Sequence, residues 1–339
     1  MDSLTQAALG GVVTYAVLGP SLGRRAAIYG MALGTLPDLD VLIDFGGPIE
    51  NMTHHRGFSH SVLVQTAVSP ILGWLFSQTK GGRGASFSRW SIAIFFCLIT
   101  HSLADFFTVY GTQLLWPLTD HPFAHAILFI IDPAYTVPLI VALIGILTIQ
   151  NRGVAQTLNL SMLTLSTMYL IWSVGAKSMI DQHVQFALNA RGIHPDVYES
   201  APAPLNTLLW RAVAVEEDTY YEIWASVFDA VDDIQVRQFD RSSTLLNPIE
   251  NHPSVRRLQW FTKDQYKVWQ KDDVIYLSDL RMGIEGAYVF NFEVGRRSGE
   301  TFKLGNFNQV SQRPDLKRLP MIWELHARGR CGLKPAESE

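Results

Sequence analysis

Residues 92–107 read IAIFFCLITHSLADFF, a run of apolar side chains interrupted by one imidazole and one carboxylate, His101 and Asp105. Four residues apart, these two share one face of a helix. At 1.5 Å per residue, His101 lies about 16 Å along that helix from Trp90, well inside a bilayer if the helix crosses one. Ionisable groups at such depth are costly and normally face a protein interior. A private His–Asp hydrogen bond would satisfy both groups, whereas a functional site requires further polar partners from elsewhere in the chain.

The rest of the first half is equally apolar. A bilayer-spanning helix needs roughly 17–25 residues, and residues 4–20, 26–45, 61–77, 90–110, 126–149 and 158–180 qualify as stretches of that kind. The second contains Pro37 and the fifth Pro133 and Pro138, so broken or kinked helices are expected there. The reading is therefore an all-α polytopic transmembrane bundle of about six helices over residues 1–180. Residues 181–204 read as a helix stopped by Gly192 and a linker marked by Pro195, Pro202 and Pro204. Residues 205–339 read as a small α+β extramembrane domain.

Charge supports the division. The whole chain of 339 residues has a net charge of −4, but residues 1–180 hold only 8 Lys/Arg and 8 Asp/Glu, against 19 and 23 in the remainder. Nucleic acid is not an expected partner, because phosphate-backbone binding needs a basic surface. Cys97 and Cys331 have no metal-type spacing, and a disulfide between them is not expected.

Cationic residues alternate between successive connections: Arg24 and Arg25, then Lys80, Arg83 and Arg89, then Arg152. The positive-inside rule puts these in the cytoplasm. The N-terminus and the C-terminal domain are then expected outside it. In the C-terminal part, residues 208–228 read as a β-hairpin, 253–271 as helical, and 273–281 with 286–296 as a strand pair.

Two further polar clusters fall at the ends of the apolar stretches. Leu36-Pro37-Asp38-Leu39-Asp40 closes the second stretch; Pro37 biases Leu36 away from helix, and the aspartates read either as helix caps or as ligands. His54-His55-Arg56-Gly57-Phe58-Ser59-His60-Ser61 opens the third, placing three of ten histidines within seven residues. Neutral imidazole is the commonest transition-metal ligand, and Arg56 can neutralise a phosphate bidentately. On the expected topology both clusters and the His101/Asp105 pair lie toward the same face. Carboxylate and imidazole together suit zinc or another first-row divalent ion, one or two in number. Asp38, Asp40, His55, His60, His101 and Asp105 are the expected metal ligands or their orienting groups, with Arg56 and Asp40 as catalytic residues. His54, His121 and His125 are further candidates. No other cofactor motif is present.

These residues resemble the YdjM-like family of membrane-bound metal-dependent hydrolases. The likeness covers roughly residues 1–120: MDSLTQAALG at the start, the PDLD motif, HRGFSH at His55–His60, the His101/Asp105 pair, and Gly111 through Leu115-Trp116-Pro117. It implies an inner-membrane, multi-pass location. The family is distantly similar to zinc phospholipases C, which implies phosphoester hydrolysis by analogy. Many relatives carry His where this chain has Gln6, so the resemblance implies either one ligand fewer or an orienting role for Gln6.

The expected function is a membrane-embedded, divalent-metal-dependent hydrolase of phosphoester or other ester substrates, membrane lipids included. Two alternatives are an ion or proton transporter, and a membrane scaffold with a structural metal and a partner-binding C-terminal domain.

Overall fold

Helix α1 (Ser3–Leu22) begins at Asp2, whose side chain accepts from the backbone N–H groups of Leu4 and Thr5. Gly23, at φ 58°, turns the chain directly into α2 (Arg24–Gly34). The two helices approach closely because glycines face each other. A Cβ on Gly10 would lie 2.4 Å from the Gly30 carbonyl oxygen and 2.7 Å from Gly34 Cα. α2 ends before Pro37, as expected, although Leu36 keeps helical dihedrals and leads into a 3-10 turn over Pro37–Leu42. After α3 (Pro48–His54) come a second 3-10 turn, Phe58–His60, then α4 (Val62–Gln78) and α5 (Phe87–Phe106). α6 (Pro133–Thr148) starts with Pro at its first position and Asp132 as cap, and α7 (Arg152–Asn189) follows.

These elements come from a computed structural model that describes residues 1–299 and 301–310; Cys331 lies outside them. The chain divides into two compact units. The first comprises Met1–Gly46, Thr53–Gly175 and Pro204–Asn206. Its core buries Leu18, Trp90, Ile94, Leu139 and Ile146 among α1, α5 and α6.

The expectation of a six-span bundle is overturned. Among the described residues only two helices, α5 and α7, are long and apolar enough to cross a membrane. α4 and α6 are apolar but shorter, and α2 has 11 residues. The physical reason is where the chain leaves helix. Residues 35–47 are 3-10 turn and loop instead of the second half of a span, and residues 107–132 are irregular, so the fifth stretch becomes helical only at Pro133. α1 is 20 residues long, yet its Gly, Thr, Ser and Gln content leaves it outside the apolar class.

Within this unit the helix ends segregate by charge. The turn between α1 and α2, the connection of α4 to α5 and that of α6 to α7 carry the cations. They are tied together there: Arg24 donates to the Thr148 carbonyl at 3.1 Å, Arg89 to Ser21 Oγ at 2.6 Å and Arg152 to the Pro20 carbonyl at 3.3 Å. The start of α1, the end of α2, the start of α4 and the end of α5 meet at the other end, and that end holds the site.

The second unit comprises Gly47–Met52, Ala176–Ala203 and the described residues from Thr207 onward. Its strands are β1 (Val197–Pro202), β2 (Leu209–Glu216), β3 (Thr219–Ser226), β4 (Gln235–Asp240), β5 (Tyr266–Lys271), β6 (Val274–Asp279), β7 (Gly283–Ile284), β8 (Ala287–Tyr288), β9 (Asn291–Ser298) and β10 (Thr301–Leu304). They form an antiparallel sheet β1-β2-β3-β4, a second of order β10-β9-β6-β5, and the small β7-β8 pair. Ile180, Val184 and Leu188, on the last part of α7, pack against Trp210, Ala212 and Ile223 of the first sheet. The expected hairpin is β2–β3, and the expected strand pair is β6–β9. Two expectations change. The Pro-marked linker contains β1, which is an edge strand and so tolerates Pro202. The helix foreseen over 253–271 is only α8 (Pro253–Phe261), because Lys263 and Asp264 take positive φ and redirect the chain into β5.

Candidate metal centre

Asp38, His60, His101 and Asp105 converge: each offers one ligand atom, and these atoms all lie within 4.8 Å of one another. Each arrives from a different local cause. Pro37 opens the 3-10 turn that carries Asp38. Gly57 precedes the turn that carries His60, and Ser61 then caps α4. His101 and Asp105 come from the last turns of α5.

The separations suit one ion. Nε2 of His60 lies 3.1 Å from Nε2 of His101 and 3.0 Å from Asp105 Oδ2. Asp38 Oδ1 is 3.4 Å from His60 and 3.5 Å from His101, and His101 is 3.5 Å from Asp105 Oδ2. Ligands about 2.0–2.1 Å from a common ion are roughly 3.3–3.5 Å apart when tetrahedral.

Hydrogen bonds fix which nitrogen of each ring carries the proton. His101 Nδ1 donates to the Gly34 carbonyl at 2.7 Å. Ser59 Oγ donates its proton to Asp40 Oδ2 at 2.7 Å, so it accepts from His60 Nδ1 at 2.9 Å. In their neutral forms both rings then turn an Nε2 lone pair toward the cluster, the arrangement that ligand-orienting partners enforce around metals. Two lone pairs and two carboxylate oxygens converge on one point, an arrangement that a cation between them would satisfy. Electrostatics agrees. Burial disfavours a charge on His60, but hydrogen bonds to Asp105 and Asp38 outweigh it and raise its pKa above the ordinary value. Burial opposes ionisation of Asp38 too, yet its bonds to His101 and His60 hold its carboxyl well below the usual range. The residues present therefore fit a divalent ion.

Of the six expected ligands, four form this cluster. Asp40 and His55 do not join it; they pair with each other. His55 Nδ1 donates to Asp40 Oδ1 at 2.7 Å, and Asp40 Oδ2 also accepts from the Arg56 backbone N–H at 2.9 Å. Burial alone would raise the Asp40 carboxyl, but the His55 bond outweighs it and keeps it low. Arg56, at φ 63°, is buried beside the cluster. Its Nη2 lies 3.2 Å from Asp105 Oδ1, its Nη1 donates to Thr108 Oγ1 at 3.1 Å, and its guanidinium carbon is 5.0 Å from the Tyr110 ring centre. Its Nε is buried without a partner. The α-amino group of Met1 also bonds to Asp105 Oδ1.

The further candidates lie outside the four-residue cluster. Gln6 is buried and donates from Nε2 to the His101 carbonyl at 3.2 Å. His54 stacks on Phe45, His125 on Phe106, and His121 packs edge-on to Phe123. Sequence reasoning missed Ser59 and Gln65. Ser59 stands inside the quoted HRGFSH motif. Gln65 is a buried amide in an apolar stretch, which was its signal; its Nε2 donates to the Ser59 carbonyl at 2.9 Å and to Ser102 Oγ at 2.7 Å, joining α4 to α5.

Comparison with known proteins bears on the same region. Over 132 residues the chain is 28% identical to "Uncharacterized protein YfhP" of Bacillus subtilis (strain 168), a match covering 37% of this chain and 39% of that protein. The chain thus spans about two fifths of that curated relative's length. No solved structure matches. The family model described as YdjM inner membrane protein matches residues 1–179, a segment that includes all four clustered residues. The chain belongs to the YdjM inner membrane protein family.

Proposed function

We propose that this protein is a divalent-metal-dependent hydrolase of ester substrates, phosphoesters included, working at the inner membrane. The observation that carries the reading is the convergence of two tautomer-fixed imidazoles and two carboxylates at one end of the helical unit, with a His–Asp pair and a buried arginine beside them. Asp38, His60, His101 and Asp105 would hold the ion. A bound divalent ion lowers the pKa of a water molecule and polarises a substrate oxygen.

The remaining residues divide the other tasks. Asp40 orients His55, as a carboxylate does for a catalytic imidazole. His55, about a quarter exposed, takes a proton from the attacking water and returns it to the oxygen that leaves. In that step the water oxygen bonds to phosphorus or to the acyl carbon and the bond to the leaving oxygen breaks. Arg56 holds the anionic oxygens of the substrate, with Asp105, Thr108 and Tyr110 fixing its guanidinium.

Orientation follows from the segregated charges. The cationic end faces the cytoplasm and the site end faces away from it. α7 runs from the cationic end outward, so the C-terminal unit that follows it lies on the non-cytoplasmic side.

The test is a panel of a phosphomonoester, a phosphodiester and a carboxylic ester. Each is presented to detergent-purified full-length protein loaded in turn with zinc, manganese or cobalt. Metal-dependent cleavage of at least one ester is expected. Stoichiometric metal with no cleavage across the panel would defeat the reading. One observation favours a second reading, a structural metal in a scaffold: four protein donors complete a tetrahedral shell and leave no position for water. Catalysis requires an ion that accepts a fifth or sixth ligand. The absorption spectrum of the cobalt-substituted protein separates the two, being intense for a closed tetrahedral ion and weak for five or six ligands.

A further inference from the structure

The loops that carry the site are unusual in being apolar outward as well as polar inward. The 3-10 turn bearing Asp38 and Asp40 exposes Leu39, Val41 and Leu42, the last two at 68% and 79%. The turn bearing His60 exposes Phe58, whose ring meets that of Trp116 at 6.3 Å. The loop of Trp116 exposes Leu118 at 77%. It is pinned beside the site by hydrogen bonds from Gln113 N to the Arg56 carbonyl and from Val62 N to the Leu114 carbonyl, both at 2.9 Å. Single exposed leucines need no explanation, but several on three adjoining loops form a patch that marks an interaction surface. Loops at a helix end normally turn polar side chains to water.

We propose that this rim receives the acyl chains of a membrane lipid and that the site takes the lipid's phosphoester head. This deepens the hydrolase reading and rests on it. The occupant follows from charge and from location. Inside the rim lie a buried guanidinium with an unpartnered Nε and a cluster that would hold a divalent cation, both complementary to a phosphate anion. The rim stands at the end of α5, one of the two helices able to cross the membrane, in a chain of an inner membrane protein family. An anionic head joined to apolar chains matches both surfaces at once; a water-soluble phosphoester matches only the inner one. Asp38, whose side chain is 23% exposed, is the cluster member nearest the open side, so the head enters past it.

The test compares two phosphonates that cannot be hydrolysed, dodecylphosphonate and methylphosphonate, by calorimetry on the metal-loaded full chain in one non-ionic detergent. The wild type is compared with Leu42→Asp/Leu118→Asp, two exposed changes. Metal stoichiometry of both proteins checks that the cluster survives. Dodecylphosphonate is expected to bind the double variant at least tenfold more weakly than the wild type, the loss of roughly two buried methylenes. Methylphosphonate is expected to bind both equally, and Arg56→Gln is expected to weaken both phosphonates. Equal binding of dodecylphosphonate to wild type and double variant overturns the lipid proposal while leaving the hydrolase reading intact. Failure of both phosphonates to bind a metal-loaded wild type overturns the phosphate head as well. Absence of metal binding defeats the hydrolase reading itself.

Discussion

Replacing Gly10 by Ala should damage the candidate metal centre from a position that touches none of its four clustered residues. The added Cβ would sit 2.4 Å from the Gly30 carbonyl oxygen and 2.7 Å from Gly34 Cα, both backbone atoms that cannot rotate away. Ordinary contact begins near 3.4 Å, so α1 and α2 must separate by about 1 Å, a strain of roughly 1–3 kcal/mol by the usual cost of overpacking. The separation has a chemical consequence. The Gly34 carbonyl accepts from His101 Nδ1 at 2.7 Å; a retreat of α2 by about 1 Å takes that bond beyond hydrogen-bond reach. If α1 retreats instead, the bond from Gln6 to the His101 carbonyl is lost. Loss of an orienting partner lowers metal affinity about 10- to 100-fold. Competition titration with a chromophoric chelator, alongside thermal unfolding in detergent, measures both effects. Gly11→Ala is the control: its Cβ would meet Met31 Cγ at 3.1 Å and Leu143 Cδ1 at 3.2 Å, side chains that can adjust. Wild-type metal affinity in Gly10→Ala would show that the glycine contact does not set the position of His101.

Three other outcomes follow from the same geometry. Ser59→Ala removes the acceptor that fixes the His60 tautomer, so metal affinity should fall about tenfold or more; unchanged affinity in the same titration would refute the tautomer argument. His55→Gln should retain full metal content while ester cleavage drops about 10²–10⁴-fold. Loss of metal in that variant would instead make His55 a ligand. In the second unit, burial would raise the Glu285 carboxyl, but hydrogen bonds from Lys267 and Tyr220 outweigh it and hold its pKa below the ordinary value. Its contribution to stability is therefore present at neutral pH and lost as pH falls below about 4.5 through the lower folded value. The stability gap between wild type and Glu285→Gln should shrink on acidification, and a gap that widens would contradict this sign.

The site was more legible in the sequence than the fold. Asp38, His60, His101 and Asp105 stood out because charged and imidazole groups are costly beside apolar segments and need a reason. Spacing alone could not separate the residues that cluster from those that pair beside them. His55 and His60 sit in one motif, yet Gly57 and the short turn after it send one ring into the cluster and the other to Asp40. Orienting residues such as Ser59 and the Gly34 carbonyl depend on packing between segments distant in sequence. The positions of the apolar stretches were readable, but their identity as spans was not. Pro37 and the irregular residues 107–132 cut two stretches short, and helix length decides whether a bilayer is crossed. In the second unit, the hairpin β2–β3 was visible from alternating β-branched and aromatic residues. β1 was hidden by its prolines, which an edge strand accommodates.

The central claim is that Asp38, His60, His101 and Asp105 hold one divalent ion. Metal analysis of the detergent-purified full chain, wild type beside His60→Ala and Asp105→Asn, tests it most directly. About one divalent ion per wild-type chain is expected, and its loss in both variants. A wild-type protein that binds no divalent ion, or variants that keep theirs, would contradict it.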